Sequence, residues 1–435
     1  MLQVMEHILC KHILNHTDKN KILTMLQHGF RHGYSCETQL LLTIHDLMTY
    51  NNRKNQIDIL ILDFSKAFDT VPHDKLIHKM NYYGIRGNIL KWIGNFLKRR
   101  EQRVVIEGKN SKWIHVDSGV PQGTVLGPLL FLLYINDITE CVSSGTKMRL
   151  FADDCIIYRT IKSIHDQIIL QRGLDRLKQW ADKWGMRFNP SKCQVMRISR
   201  SKTPHEKYYL LCNQILEQVS KAKYLGVLIS DDLKWSPHVD YISGKASKVL
   251  GLLQRNLHHC PQEIREIAYL SMVRSILEYA CAVWDPYLKK DTCKLERIQR
   301  KAARFVKNDY RVFVGNPENR EYASVTQMIS ELGWQSLEKR RRETRLALLY
   351  KIVHHDVNIK QDEIENLILN NRGVQTNEHK CPKFTRFSWN ILQYKNSFTP
   401  RTVCDWNNLS CDIACANNVE TFKHRLKTPA SGQPA

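Results

Sequence analysis

The spacing of apolar residues along this chain changes character twice, and each change marks a different kind of element. The run Ile57-Asp58-Ile59-Leu60-Ile61-Leu62 is apolar and β-branched, the pattern of a buried strand, and it ends on Asp63. Further on, apolar runs at residues 148–151 and 155–158 flank a tight turn carrying Asp153 and Asp154, which predicts a hairpin with acids at its tip. Around these strands the period becomes helical. Residues 75–83 and 87–99 read as helices, and residues 102–107 and 112–117 as a hairpin around Gly108-Lys109-Asn110-Ser111. Residues 174–184 are amphipathic, with Leu174, Leu177, Trp180 and Ala181 on one face and Gly185 as the stop.

Upstream, residues 36–50 read as a helix after a turn at 27–35, and beyond residue 230 the pattern is almost wholly helical, with candidates at 239–257, 262–284 and 291–306. Residues 308–324, which include Gly315-Asn316-Pro317-Glu318-Asn319, read as a linker into a smaller, mainly helical region at 325–427, and residues 428–435 as a disordered tail. The expected class is therefore α+β, a mixed segment followed by a helical one.

A chain of 435 residues with 43% apolar residues has room for roughly three domains with real cores. Lys and Arg number 65 against 43 Asp and Glu, and a net charge of +22 exceeds what solubility requires. It points to a polyanionic partner, nucleic acid first. The longest apolar run, residues 128–135, is too short to span a bilayer, and the first residues lack the apolar core and cleavage site of a signal peptide. Thirteen scattered cysteines with no Cys-x-x-Cys suggest free thiols in a reducing compartment, so the expected location is intracellular, nucleus or cytoplasm. Cys404, Cys411 and Cys415 with His424 form the tightest group, and their spacing fits no common zinc pattern.

Two basic features add detail. Lys294, Arg297, Arg300, Lys301, Arg304 and Lys307 recur at three- and four-residue steps, which lays cations along one helix face suited to a phosphate backbone; an ordinary solvated face is the plain alternative. Lys339-Arg340-Arg341-Arg342 with Arg345 reads as a second nucleic-acid contact or as a nuclear-import patch.

The acids carry the candidate chemistry. Carboxylates side by side in a mostly buried sheet repel by on the order of several kcal/mol unless a divalent cation neutralises them. Asp63 and Asp153 are placed to share such a cation, and hard oxygen ligands favour Mg²⁺ or Mn²⁺. An Asp-Asp pair on a turn is otherwise ordinary solvated turn chemistry, so its neighbours decide the reading.

Those neighbours are the segment Leu62-Asp63-Phe64-Ser65-Lys66-Ala67-Phe68-Asp69-Thr70-Val71, the loop Ser118-Gly119-Val120-Pro121-Gln122-Gly123-Thr124-Val125-Leu126-Gly127-Pro128, and Phe151-Ala152-Asp153-Asp154. In this order they resemble reverse transcriptases, and the chain is most similar to those of non-LTR retrotransposons, the LINE class, in the jockey and CR1-like branch. Gln27-His28-Gly29-Phe30-Arg31 with Ser35, Asn189-Pro190-Ser191-Lys192, Tyr224-Leu225-Gly226-Val227, Ile276-Leu277-Glu278-Tyr279-Ala280 and Trp406-Asn407-Asn408-Leu409 extend the likeness over nearly the whole chain.

The resemblance implies a right-hand polymerase: partial fingers at 1–56, a palm with an antiparallel sheet at 57–230 and a helical thumb at 231–307, followed by the linker and a C-terminal region without a legible role. It implies an RNA-directed DNA polymerase that takes an RNA template, a DNA primer and deoxynucleoside triphosphates. Asp63 and Asp153 would bridge two metals about 4 Å apart. Asp154 is the third carboxylate of the motif, in metal contact or supporting the turn. Phe68 would pack under the sugar and exclude a 2′ hydroxyl, and a core phenylalanine is the bland alternative. Phe64 would sit in the same nucleotide-binding group. Gln122-Gly123 would touch the nascent base pair, with Gly123 and Gly127 permitting close backbone approach to a ligand. Lys192 would neutralise charge near the pyrophosphate, against the plain alternative of a surface lysine. Tyr224, Leu225 and Gly226 would grip the primer, Arg31 would meet template or nucleotide phosphate, and Arg297, Arg300, Lys301 and Arg304 would line the template-primer duplex. Asp69 is expected to cap or pair locally.

Complete elements of this type usually carry an endonuclease domain and an Arg-Pro-Ile-Ser segment ahead of the Gln-His-Gly-Phe-Arg counterpart, whereas 26 residues precede Gln27 here, and Cys193 stands where threonine is common after the motif lysine. The expectation is a truncated fingers region, a retained fold and impaired activity. Two other functions compete: a non-catalytic nucleic-acid-binding remnant, and a two-metal nuclease, for which no water-activating His or Glu set accompanies the motifs.

Overall fold

The computed structural model describes residues 2–98, 100–310, 324–364 and 383–427. Most of the expected linker at 308–324, the tail at 428–435 and the end of the helix expected at 87–99 lie outside them. The chain forms two compact units, one from residues 1–39 and 54–225 and the other from 40–53 and 226–435.

The first unit contains helices α1 (Leu2–Lys19), the first turn of α2 (Cys36–Asn52), α3 (His73–Tyr82), α4 (Gly87–Leu97), α5 (Leu126–Ile135) and α6 (Ile164–Trp184). Its sheet is built from β1 (Gln56–Leu62), β2 (Thr146–Phe151), β3 (Asp154–Ile161), β4 (Gln194–Ile198) and β5 (Glu217–Gln218), in the order β5-β4-β1-β3-β2. All pairings are antiparallel except β5 with β4. The apolar β1 takes the centre because neighbours on both edges and cover on both faces leave almost none of it exposed.

Asp58, in the middle of that strand, is the exception to its apolar character. It is fully buried, and its carboxylate accepts hydrogen bonds from Tyr209 Oη at 2.7 Å and from Gln56 Nε2 and Gln167 Nε2 at 3.0 Å each, with Arg197 Nε at 3.3 Å. A buried carboxylate persists only with such partners.

Helix α5 is apolar on every side and correspondingly buried on every side. Its start is capped by buried Glu6 of α1, whose Oε2 accepts from Val125 N at 2.9 Å and Leu126 N at 3.2 Å. Helix α6 begins ten residues before the expected 174, because Ser163 and Asp166 form a capping box; Gly185, at φ 75°, ends it as anticipated. The expected hairpin after α4 is a broken ribbon. Arg100–Gln102 pairs with Ile114–Val116, and Val105–Ile106 pairs with Lys109–Asn110 around Glu107 and Gly108, both at positive φ.

The second unit is helical, with α7 (Ser236–Asn256), α8 (Lys289–Lys307), α9 (Leu337–Val353), α10 (Phe398–Asn407) and α11 (Val419–Lys427). The single helix expected at 262–284 is interrupted. An α-helical Gln262–Ala268 passes into a π-helical Tyr269–Arg274 and a short Ser275–Glu278, after which Ala280 turns left-handed at φ 50°. The fully buried Trp284 folds back and donates from Nε1 to the Tyr279 carbonyl at 2.8 Å, occupying a carbonyl that a continuous helix would have used.

The basic cluster at 339–345 is likewise different from its sequence reading. Arg341 and Arg345 are buried in this unit, where Asp285 receives Arg341 Nε at 2.7 Å, Arg345 Nε at 2.9 Å and Arg401 Nη1 at 3.2 Å. Arg345 also reaches Asp405, Arg342 pairs with Asp405 at 3.4 Å, and Arg340 is bidentate on Glu278. The four-residue spacing of Arg341 and Arg345 puts both on the inward face of α9, so most of the cluster is an internal ion network. Replacing Asp285 by alanine strands the buried Arg341 and removes a carboxylate partner from Arg345 and Arg401, and is expected to destabilise this unit by about 3–5 kcal/mol, whereas exposed Lys339→Ala shifts stability by no more than about 0.5 kcal/mol. Urea unfolding followed by circular dichroism distinguishes the two.

Candidate active site

Strand β1 pairs with β3 so that Leu62 faces Cys155, which carries Asp63, one step beyond Leu62, to the end of the sheet occupied by Asp154 and the Ala152-Asp153 turn. The backbone of Asp63 is held on its other side. Its carbonyl accepts from Asn189 N at 2.8 Å and its N–H donates to Cys193 Sγ at 3.3 Å. Cys193, whose thiol is pushed up to about 11 by burial, thus supplies a neutral acceptor for this N–H.

The three carboxylates interact. Burial raises Asp153 above the usual carboxylate range, its own backbone N–H partly offsets this, and the Asp63 charge raises it further. Asp154 is pushed up to about 6, first by lost hydration around its carboxyl and then by Asp153 and Asp63, although the residue as a whole remains largely exposed. Lys192 Nζ lies 3.9 Å from Asp63 Oδ1, with both side chains largely in solvent, so the pair is worth little in isolation. Among the described residues no three His, Cys, Asp or Glu side chains form a ready-made metal cage, at the acidic turn or around Cys404, Cys411, Cys415 and His424.

Phe68 is half-buried, stacked on Phe131 of α5 with ring centroids 4.1 Å apart and 21° between planes, and met edge-on by Phe30 at 6.2 Å. Asp69, expected to cap or pair locally, instead pairs with a remote loop. Its Oδ1 accepts from Gln122 Nε2 at 2.8 Å and its carbonyl from Ser118 Oγ at 2.8 Å, which ties the Gly119–Gly123 loop to the segment after β1. Gly119 is obligatory there, since at φ 88° a Cβ would lie 2.8 Å from Asp69 Cα. The two glycines expected to admit a ligand differ. Gly123 faces open space, whereas a Cβ on Gly127 would sit 2.2 Å from the Pro121 carbonyl, so its close approach is to its own loop.

Other expected contacts are differently disposed. The Phe64 ring is buried, stacked on Phe188 at 4.3 Å, and belongs to the core. Arg31 Nη1 donates to the Thr24 carbonyl at 2.6 Å and to the Gln27 carbonyl at 3.4 Å, with its guanidinium over Tyr34. Tyr224 is buried and receives Gln39 Nε2 on its hydroxyl at 3.2 Å, while Leu225 and Gly226 both take positive φ and form a two-residue turn. On α8, Lys294 pairs with Asp240 and Lys307 with Glu331 at 2.9 Å, leaving Arg297, Arg300 and Lys301 exposed and without an ion pair among the described residues; Arg304 is half-buried. Sequence reasoning missed Gln27, although it opens the quoted motif; its side chain bonds to both backbone groups of Ala152.

The chain is 29% identical over 324 residues to the probable RNA-directed DNA polymerase from transposon X-element of Drosophila melanogaster, covering 70% of this chain and 34% of that protein. It is 26% identical over 314 residues to the RNA-directed DNA polymerase from mobile element jockey of the same fly, covering 69% and 34%. It therefore spans about a third of the length of these curated relatives. Among solved structures, apo telomerase from Candida tropicalis shares 12% identity with a TM-score of 0.41, over 80% of this chain and 54% of that one. Residues 1–229, just over half of the chain and all of the acidic site, match the family model described as reverse transcriptase (RNA-dependent DNA polymerase), and the chain belongs to that family.

Proposed function

We propose that this chain is an RNA-directed DNA polymerase of a non-LTR retrotransposon, extending a primer 3′ hydroxyl with deoxynucleoside triphosphates on an RNA template. The observation that carries the reading is the convergence of Asp63, Asp153 and Asp154 from distant parts of the chain at one end of the sheet, where burial and then the neighbouring acid charges raise Asp153 and Asp154, within a family-matched segment.

The residues fit a divalent cation in chemistry. All three donors are hard carboxylates, two of them are raised first by burial and then by neighbouring acid charge, and a Mg²⁺ site needs only one or two carboxylates because substrate phosphates and water complete its shell. Asp63, Asp153 and Asp154 would hold the ion, which when bound supplies Lewis-acid polarisation of the phosphoryl group and neutralises developing charge.

The chain's own groups do the remainder. The Phe68 ring, braced by Phe131, forms a stiff wall at the sugar, because a ring packed this way cannot yield to an added hydroxyl. Gly123 leaves room for a base pair beside Gln122, whose own side chain is held by Asp69. Lys192 stands at Asp63, where it offsets charge on the leaving pyrophosphate. Arg297, Arg300 and Lys301, with Arg304, offer cations to a phosphate backbone.

Primer extension on an RNA template with Mg²⁺ and deoxynucleotides tests the reading. Wild-type extension is expected to fall at least about 10³-fold in Asp153→Asn, as removal of a key charge-stabilising group does. Template binding at moderate salt without wild-type extension identifies a non-catalytic nucleic-acid-binding protein instead. Phe68→Val is expected to raise ribonucleotide incorporation relative to deoxynucleotide by on the order of 10–200-fold, read from the ratio of the two kcat/KM values. The Asp154 carboxyl sets a pH dependence. Protons and Mg²⁺ compete for it, so the Mg²⁺ concentration giving half-maximal extension falls as pH rises from 5 to 7 and levels off above. In the metal-free protein the folded state holds this proton more tightly than the unfolded chain, so the Asp154 contribution to stability declines as pH rises from about 4 through about 6, and Asp154→Asn flattens that part of the melting profile.

A further inference from the structure

The edge strand β2 ends in a two-residue turn whose first residue, Ala152, takes φ 54°. A left-handed conformation is unfavourable for any residue with a Cβ, and it persists only where surrounding contacts impose it. Those contacts come from residues 24–31. The backbone there lies parallel along β2, with Leu150 N donating to the Leu26 carbonyl at 2.9 Å and His28 N to the Leu150 carbonyl at 2.9 Å.

From this docked segment the buried Gln27 side chain reaches the turn. Its Oε1 accepts from Ala152 N at 2.8 Å and from Gly29 N at 2.8 Å, and its Nε2 donates to the Ala152 carbonyl at 3.1 Å. Two backbone N–H donors at one end of the amide fix which end is the oxygen. Both polar backbone groups of the residue before Asp153 are thereby satisfied by one side chain from a remote segment.

The fit is close as well as polar. A Cβ on Gly29 would lie 2.4 Å from Ala152 N and 3.0 Å from Gln27 Oε1, so the docking tolerates only glycine. The segment is itself braced. Asn136 Oδ1 accepts from Thr24 N and its Nδ2 donates to the Ile22 carbonyl, each at 2.8 Å, and Arg31 closes the loop through the Thr24 and Gln27 carbonyls. His28, pushed down to about 3 by burial and then by Arg149 and Arg31, stays neutral against Thr38. Phe30, three residues past Gln27, meets the Phe68 ring edge-on.

We infer that Gln27 is a positioning residue that sets the Ala152-Asp153 turn, and that Gly29 is the spacer that lets it do so. The inference rests on the polymerase reading for its consequence, since a carboxylate displaced by about 1 Å loses on the order of 10²-fold in rate. It does not rest on that reading for its geometry.

The test compares wild type, Gln27→Met, Gly29→Ala and Asp153→Asn in two assays. In hydrogen exchange of the metal-free protein, both the Gln27 and Gly29 variants should exchange faster in the 148–156 peptide while the rest of the first unit keeps wild-type protection. In primer extension, both should lower kcat by on the order of 10²-fold and raise the Mg²⁺ requirement, with a smaller change in KM for deoxynucleotide. Wild-type exchange at 148–156 in both variants overturns the inference, and so does faster exchange spread evenly over the first unit, which marks a merely structural role. Unchanged kcat and Mg²⁺ requirement in variants with a loosened turn also overturn it. If wild type itself fails to extend primers, the polymerase reading falls while the exchange comparison still decides what Gln27 does.

Discussion

Backbone hydrogen bonds between β1 and β3, in register from Gln56 opposite Ile161 to Leu62 opposite Cys155, bring two distant stretches of chain to one end of the first unit. Everything acidic at that end depends on this register. A slip of one residue would turn every side chain of β1 to the opposite face, carry Asp63 away from the turn and move buried Asp58 off its partners. Asp58 locks the register, since three of its four partners come from α6, β4 and the chain after β4, past which a slip of β1 would carry it.

The same end of the sheet carries the unit's concentrated costs. Three carboxylates repel one another, Ala152 is left-handed, and Gly119 approaches the Asp69 backbone closely. The two backbone costs are met by neighbours bonded through side chain to backbone, Gln27 on Ala152 and Ser118 on Asp69, and Cys193 likewise holds the Asp63 backbone. The mutual repulsion of the acids has no such internal remedy in the described chain, because Lys192 approaches only Asp63 and does so in solvent. That imbalance distinguishes the acidic turn from Asp58, which is buried more deeply and fully compensated.

Arginine serves two ends in the second unit. On α9 it is spent inward, with Asp285 shared among Arg341, Arg345 and Arg401, while on α8 Arg297, Arg300 and Lys301 face outward. The outward group spans three- and four-residue steps and is short, because Lys294 and Lys307 at its ends are paired with acids. Three cations of α8 are thus available to a polyanion, while Arg341 and Arg345 of the chain's densest basic run are not.

The amino-acid sequence by itself determined the identity and order of the elements around the acids. The apolar run before Asp63, the alternation around Asp153 and Asp154, and the Gly185 stop are local patterns whose physics acts within a few residues, so β1, the hairpin and the end of α6 were legible. Only the tertiary structure decided what depends on packing between remote segments: which arginines of 339–345 turn inward, where the helix at 262–284 breaks to let Trp284 reach a carbonyl, why Phe64 is core while Phe68 is a half-exposed shelf, and that Gln27 serves the turn before Asp153. A side chain's partner across more than a hundred residues is set by the register of the sheet and the filling of the core, and neither quantity is written in any short window of the chain.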